Sequence, residues 1–490
     1  MELRAPPSFG QERLWFLQRL APESAAYNET LGLRLHGALD LPALAAALRH
    51  LMQRHEVLRT TCGEDDGGAL WQRIGGAAPP PLHTVDLLGL AAGRREAEAL
   101  RRLAAAAGRA IDLARGPLWR AILVRLGAHE HVLGFLFHHS IFDAASAGIL
   151  WRDLVLLYGA LTAGAAGPAR DVPSLPLLPL LRWQYRDHVA WQRARQASAA
   201  GRRQLAAWRR QLAGWEEDAR LTPDHARRAA PGRRGARRHR ELPSSLAPPL
   251  ADLARQQGAT AFMVLLAAWL EVVYRHTGER RLAAGTAAAG RNRLESEELI
   301  GFFVNSLVLR LHRPAAATFR QLLDLVRATT LSAVETQETP FERLVGELQP
   351  ADRLVDMPLF QVAFTVRAPP PPLRRLGTLD VTPCDIHGGG CKLDLLLDVE
   401  TAPHRLRCRA EYDRDRFAAA TVERLIDHFA RLLERALAAP DRDLAELPVS
   451  GAAERHQVLC EWPGAAEEGD AAAGEAARDA ARPAGAATGQ

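Results

Sequence analysis

FHHSIFDAASAGILWRDLVLLYG, residues 137–159, joins the end of an apolar run to the start of a helix. The run itself, HVLGFLFHH at 131–139, is nearly continuously apolar, as expected of a strand covered on both faces. Successive strand side chains point to opposite faces, so His138 and His139 cannot both serve one cavity. That argues against the two holding a single metal ion. The pair reads as one buried structural histidine and one presented to a cleft, where an imidazole near neutrality suits the acid–base chemistry of acyl transfer. Asp143 stands where a helix N-cap belongs, and Asp is a favoured cap, so capping and catalysis are both open for it on these residues alone.

Outward from this segment, helices and strands alternate along the chain. LPALAAALRHLMQRHEVLRT at 41–60 reads as a helix capped by Asp40, with Leu44, Leu48, Leu51, Met52 and His55 on one face. AATVERLIDHFARLLERALA at 419–438 is a second, and Thr260 is placed to cap a third, AFMVLLAAWLEVVYRH. RLRCRAEYD at 405–413 alternates as a half-buried strand does, with Leu406, Cys408, Ala410 and Tyr412 on one side; PLFQVAFTV at 358–366 is a further strand. Such mixing points to α/β or α+β layers. The proline-rich stretch 173–179 is the expected boundary, giving lobes at 1–175 and 176–450. A tail at 451–490, Ala/Gly/Glu-rich after Trp462, lacks the anchors of a packed core.

The chain has 490 residues and a net charge of +5, and Lys392 is its only lysine. Its many arginines mostly interleave with carboxylates, which argues against a nucleic-acid binder. The exception is HARRAAPGRRGARRHR at 225–240, with seven arginines and no carboxylate. It reads as a solvated loop, or else as a docking surface for an acidic partner. Neither a signal peptide nor an uninterrupted apolar span is present in the pattern, so a cytoplasmic protein without membrane association is expected. Cys62, Cys384, Cys391, Cys408 and Cys460 show no C-x-x-C pairing and read as isolated reduced thiols rather than a zinc site.

His138, His139 and Asp143 match H-H-x-x-x-D, the signature of the condensation domains of nonribosomal peptide synthesis, which are related to chloramphenicol acetyltransferase. Six more segments resemble family blocks in the right order: SFGQERLWFL at 8–17, RHEVLRTTC at 54–62, YRDHVAWQ at 185–192, IGFFVNSLVLR at 300–310, TQETPFERLVGEL at 336–348 and DRLVDMPLFQVAF at 352–364. ERHQVL at 454–459 looks like the usual exit from the domain. The resemblance runs from about residue 8 to 462.

The resemblance implies two chloramphenicol acetyltransferase-like lobes forming a V-shaped pseudo-dimer with a central tunnel. Phosphopantetheine arms of donor and acceptor carrier proteins would enter it from opposite ends and meet beside His139. An acyl or aminoacyl thioester would pass to an amine or hydroxyl, making an amide or an ester. The acceptor could be carrier-bound or a soluble amine or alcohol. The enzyme itself would need no cofactor and no metal, and would act as a monomer. His139 would take a proton from the nucleophile or orient it; Asp143 would be mainly structural, with Arg59 as its candidate arginine partner. Asn305 and Ser306 are candidates for lining the tunnel.

Several positions depart from the family pattern. Ala144 replaces the usual glycine after the motif aspartate, at a cost if that position needs positive φ. Cys62 stands for phenylalanine and Thr336 for histidine. No adenylation or carrier domain follows, which suggests action in trans or an excised piece. The resemblance leaves alternatives open: an epimerization domain, an acyl-CoA-dependent starter acyltransferase, and a catalytically silent scaffold that recruits carriers. IGFFVNSLVLR favours condensation with an L-configured donor, and the two histidines exclude a heterocyclization domain.

Overall fold

The computed structural model describes residues 3–76, 78–163, 178–214, 218–226, 233–348, 359–368, 374–402, 405–457 and 459. Two six-stranded sheets form its framework. The first runs, edge to edge, Arg375–Leu376, Leu379–Cys384, Asn28–His36, Glu130–His138, Trp119–Arg125 and Leu82–Asp86. All its pairings are antiparallel except the last. The second runs Asn305–His312, Arg281–Ala288, Val362–Arg367, Leu395–Ala402, Arg405–Asp413 and Gly235–Leu242. Here Val362–Arg367 lies parallel to both neighbours. A small antiparallel sheet of Leu3–Ala5, Leu70–Ile74 and Thr60–Glu64 closes the N-terminal side.

Each large sheet has its own core, as expected when helices cover sheet faces. In the first half, the helices Leu41–Arg54 and Ala144–Thr162 pack on Phe135, Phe137 and Trp119. Their contact is held by a buried ionic knot. Asp153, fully buried, accepts from Arg54 Nε at 3.0 Å, faces His55 Nε2 at 3.1 Å, and binds the Arg152 guanidinium. Ala144–Thr162 is the one described helix long and apolar enough to reach across a bilayer, and it spends Leu150, Leu154, Leu157 and Tyr158 on this core instead. In the second half, Ala261–Thr277 and Ala419–Ala438 pack together over the second sheet, with Trp269 edge-on to Phe429.

The helices at 41, 261 and 419 and the strands at 130, 362 and 405 lie where the periodicity places them. Thr260 caps Ala261–Thr277 by accepting from Met263 N–H, and Gly278, at φ +70°, ends it in the left-handed region that glycine favours. The 173–179 boundary falls largely, and the tail after 459 wholly, outside the described residues. The halves are not separate in sequence. Leu379–Cys384, from the second half, pairs in register with Gly32–His36 of the first sheet, so one sheet is built by both.

The arginine run is not a solvated loop where it is described. Gly235–Leu242 is the edge strand of the second sheet. Its carboxylate partners come from far along the chain. Arg237 binds Glu411 at 2.9 Å and Asp385 at 3.1 Å, Arg238 binds Glu423 at 2.7 Å, and Arg234 and Arg240 bind Asp415 and Asp427. The charge is answered across the sheet and from the helix Ala419–Ala438, which leaves no bare cationic surface among these residues.

Candidate active site

The strand Glu130–His138 ends at the motif, and the chain turns once through His139–Ile141 before Ala144–Thr162 begins. His138 faces inward, where its Nδ1 accepts from Ser140 N–H at 3.1 Å and meets Ser140 Oγ at 2.9 Å. His139 faces the other way. Its Nδ1 donates to the Phe142 carbonyl at 2.7 Å, its ring packs on Phe302 at 4.6 Å between centroids, and it lines a cavity of about 190 Å³. Nδ1 being committed, Nε2 is the nitrogen left for that cavity. Residues from both halves wall it, Gly10, Arg13 and Tyr27 on one side and Thr286, Ser306 and Phe360 on the other. Gly10 is needed here: a Cβ on it would stand 2.5 Å from the Phe302 ring that supports His139.

Asp143 serves as cap and as clamp at once. Its Oδ1 accepts from Ser146 N–H at 2.8 Å, from Ser146 Oγ at 2.7 Å and from Arg291 Nη2 at 3.0 Å. Its Oδ2 accepts from Phe303 N–H at 3.1 Å. Arg291 also donates to the Ser296 and Leu299 carbonyls and lies 4.0 Å over the Phe303 ring. Gly290, at φ +67°, makes this possible, since a Cβ there would fall 1.9 Å from the Phe303 carbonyl oxygen. Ser146 Oγ completes the seam by bonding both Gly301 O and Gly301 N–H, at 3.0 and 3.1 Å.

The arginine partner of Asp143 is therefore Arg291, not Arg59. Arg59 points to the Gly75 carbonyl and lies 3.5 Å from Glu56, on the far side of the turn that follows Leu41–Arg54. What the 54–62 segment supplies behind the site is His55, through Asp153. Ala144 is the first residue of a right-handed helix and is exposed, so the glycine it replaces was not needed here for positive φ. Ser306 lines the cavity, but Asn305 does not. The Asn305 amide is spent holding the 337–341 turn, donating to Gln337 O and Thr339 O at 2.8 and 2.7 Å and accepting from Phe341 N–H at 2.9 Å.

The electrostatics divide the two histidines. Burial holds both below their usual value and takes His138 down to about 3. For His139 the Lys392 ammonium pushes the same way, and the Glu29 carboxylate opposes it. Burial alone would raise Glu29, but Lys392 and His139 bring it to about 2. His139 is thus a neutral imidazole near pH 7 with Nδ1 as the N–H, and Nε2 carries a free lone pair. Among the described residues no group of three or more His, Cys, Asp or Glu could hold a metal ion.

The lowered histidines also set a pH limit on stability. His138 falls to about 3 and His188 to about 4, against 6.5 when exposed, so the unfolded chain takes protons that the folded one refuses. Their contribution is whole above pH 6.5 and is lost as pH falls toward 4, by about 1.4 kcal/mol per pH unit for each ring. We expect the thermal midpoint to drop through this window. His138→Asn, whose amide oxygen can still accept from Ser140 N–H, should flatten the slope; an equally steep slope in that variant would contradict a neutral buried His138.

The condensation-domain family model matches residues 1–459, nearly the whole chain. The chain belongs to the condensation-domain family. These domains are the acyltransferases that form amide bonds in nonribosomal peptide synthesis, and they work with phosphopantetheine held on carrier proteins. This condensation domain is 40% identical over 459 residues to one of the linear gramicidin synthases of Brevibacillus parabrevis, covering 93% of the chain and 6% of that synthase. It is 38% identical over 445 residues to the phosphinothricin tripeptide synthetase PhsC of Streptomyces viridochromogenes, covering 91% of the chain and 40% of PhsC. It thus spans less than half the length of either relative. Among solved structures, the X-domain from teicoplanin biosynthesis superposes with a TM-score of 0.81 at 28% identity, covering 91% of this chain and 97% of that one. SgcC5 of Streptomyces globisporus gives 0.72 at 26% identity, covering 89% and 99%.

The motif histidines and Asp143 are legible before folding, whereas Arg291, Ser146, Phe302 and Glu29 are not. Each of the four acts from an element distant in sequence or through a contact that no local pattern encodes. Lys392 does carry a signal, being the single lysine among 62 basic residues.

Proposed function

We propose that this condensation domain moves an acyl or aminoacyl group from the phosphopantetheine thioester of a donor carrier protein to an acceptor, with His139 at the reacting atoms. The observation that carries it is the His139 ring, anchored through Nδ1 and turned with Nε2 toward a cavity walled by both halves. The acceptor nitrogen or oxygen attacks the thioester carbonyl carbon while Nε2 accepts its proton. The carbon–sulfur bond breaks, and the proton passes to the departing pantetheine thiolate. The products are an amide or ester and a free thiol. No intrinsic cofactor takes part. Holding both reactants beside Nε2 accounts for much of the acceleration, since it removes the entropy of their encounter.

In this reading the lobes form a V-shaped pseudo-dimer and the cavity is the middle of a tunnel, entered by donor and acceptor arms from opposite ends. The domain works as a monomer. The acceptor is a second carrier's aminoacyl group or a soluble amine or alcohol. An alcohol is worth testing because SgcC5 has been solved with an aryl ethanediol. Its solved complex with OxyB makes the teicoplanin X-domain a reason for a second reading, in which this chain recruits a partner without catalysis.

Intact-mass spectrometry of an aminoacyl-loaded carrier protein, mixed with this domain and with amine and alcohol acceptors, tests the proposal. The expected result is loss of the acyl mass from the carrier and appearance of one acceptor adduct, faster than without the domain. No transfer over a broad set of donors and acceptors, with carrier binding intact, would favour the second reading.

A further inference from the structure

The Glu29 Oε1 atom faces two partners. It binds the Lys392 ammonium, and it lies 3.7 Å from His139 Nδ1, the nitrogen that donates to Phe142 O. Both ends of this contact are held firmly. Glu29 sits on Asn28–His36, paired with Phe137 at the end of the motif strand. Lys392 follows the buried Cys391, and its carbonyl accepts from Arg233 at 2.8 Å. The Gly388–Gly390 turn before it is pressed on the Ala107–Gly108 corner of the first half and accepts from Gly235 N–H at 2.7 Å. The ammonium is therefore delivered to the cavity wall by a segment that both halves fix.

Without a cation there, a buried carboxylate would stand beside the imidazole with nothing else to satisfy it. It would compete with the Phe142 carbonyl for the Nδ1 proton and favour an imidazolium, because an adjacent opposite charge stabilises the charged form. An imidazolium has no lone pair on Nε2. We propose that Lys392 is a positioning residue for the acyl transfer: its ammonium holds the Glu29 carboxylate, and so leaves the His139 ring bound to the Phe142 carbonyl with Nε2 unprotonated.

The residue type supports this. Every other Lys/Arg position in the chain is arginine, and arginine makes the other ion pairs around the site, including Arg291 with Asp143 and Arg13 with Glu342. A guanidinium is a planar fork that seeks two acceptors, whereas an ammonium is a compact point charge. One carboxylate oxygen beside a catalytic ring calls for the second. The remaining charged groups that face His139 do not duplicate the role. Asp143, from the start of Ala144–Thr162, is neutralised by Arg291; His138 is turned inward and neutral; Arg237 reaches Glu29 only at longer range.

The inference rests on the acyl-transfer reading, so its test does not depend on turnover. Diethyl pyrocarbonate acylates only the unprotonated imidazole, and peptide mass mapping across pH gives the protonation midpoint of His139 itself. The expected midpoint in the wild type lies below 6.5. In Lys392→Met it rises by about one pH unit or more, a tenfold gain in proton affinity. In Glu29→Gln it falls below the wild-type value, and Lys392→Met with Glu29→Gln returns it toward the wild type. Lys392→Arg, which keeps the charge, stays near the wild type. Should Lys392→Met fail to fold, the downward shift in Glu29→Gln decides alone. Midpoints that coincide in wild type, Lys392→Met and Glu29→Gln, at unchanged thermal stability, would overturn the proposal. An inert wild type with shifting midpoints would fail the transfer reading and not this one.

Discussion

His139→Ala lowers the rate of acyl transfer by about 10²–10⁴-fold, the range that positioned acid–base groups supply, while the protein stays folded. The ring makes one hydrogen bond, to the Phe142 carbonyl, and one ring contact, with Phe302, so its removal costs little packing. The thermal midpoint should therefore stay close to the wild type. The loss should fall on kcat and leave the apparent KM for the carrier nearly unchanged, because the carrier body docks away from the buried ring. His138→Asn is the control. It keeps an acceptor for Ser140 N–H and presents nothing to the cavity, so it should retain most of the activity. Single-turnover quench assays with an acyl-loaded carrier separate the two variants. Equal activity in His139→Ala and wild type would remove His139 from the chemistry.

Asp143→Ala is expected to cost about 3–5 kcal/mol of stability, the usual result of stripping the partner from a buried charge. Arg291 has a side chain only 9% exposed and would lose its carboxylate inside the seam between the halves. Phe303 N–H and Ser146 N–H would lose their acceptor in the same step. Arg59→Ala should change stability by about 1 kcal/mol or less, since Arg59 meets Glu56 in a looser, partly exposed contact. Denaturant titration of both variants reads the difference directly. Comparable losses would mean that the Asp143–Arg291 contact is not what holds the seam.

How far local pattern reaches can be judged from particular elements. Leu44, Leu48 and Leu51, spaced for one helix face, are buried where the period puts them, and Leu406, Cys408, Ala410 and Tyr412 face the second core in alternation. Both cases need only neighbours within one element. Ala144 shows where pattern alone misleads: the glycine it replaces suggests a cost, but a first helical turn accepts alanine without strain.

The arginine run at 225–240 marks the limit. Its sequence neighbours contain no carboxylate, so the pattern suggests a solvated loop, yet Arg237, Arg238 and Arg240 meet Glu411, Glu423 and Asp427 from more than 170 positions away. Pairing across a sheet is indifferent to sequence distance, and no local rule could supply those partners. Arg59 looks the better partner for Asp143 for the same reason: the family blocks offer one arginine, and the fold brings another.

The order of elements, the faces of the helices, the motif turn and the assignment of one histidine to the interior and one to a cavity were all written in residue spacing, because backbone periodicity and hydrophobic burial act within a few residues. Tertiary structure alone chose Arg291 for Asp143, placed Phe302 under His139, added Leu379–Cys384 to the first sheet and set Lys392 against Glu29. Those choices depend on which buried charges and sheet edges meet once the halves close, and a buried charge takes whichever partner the closed fold leaves within reach.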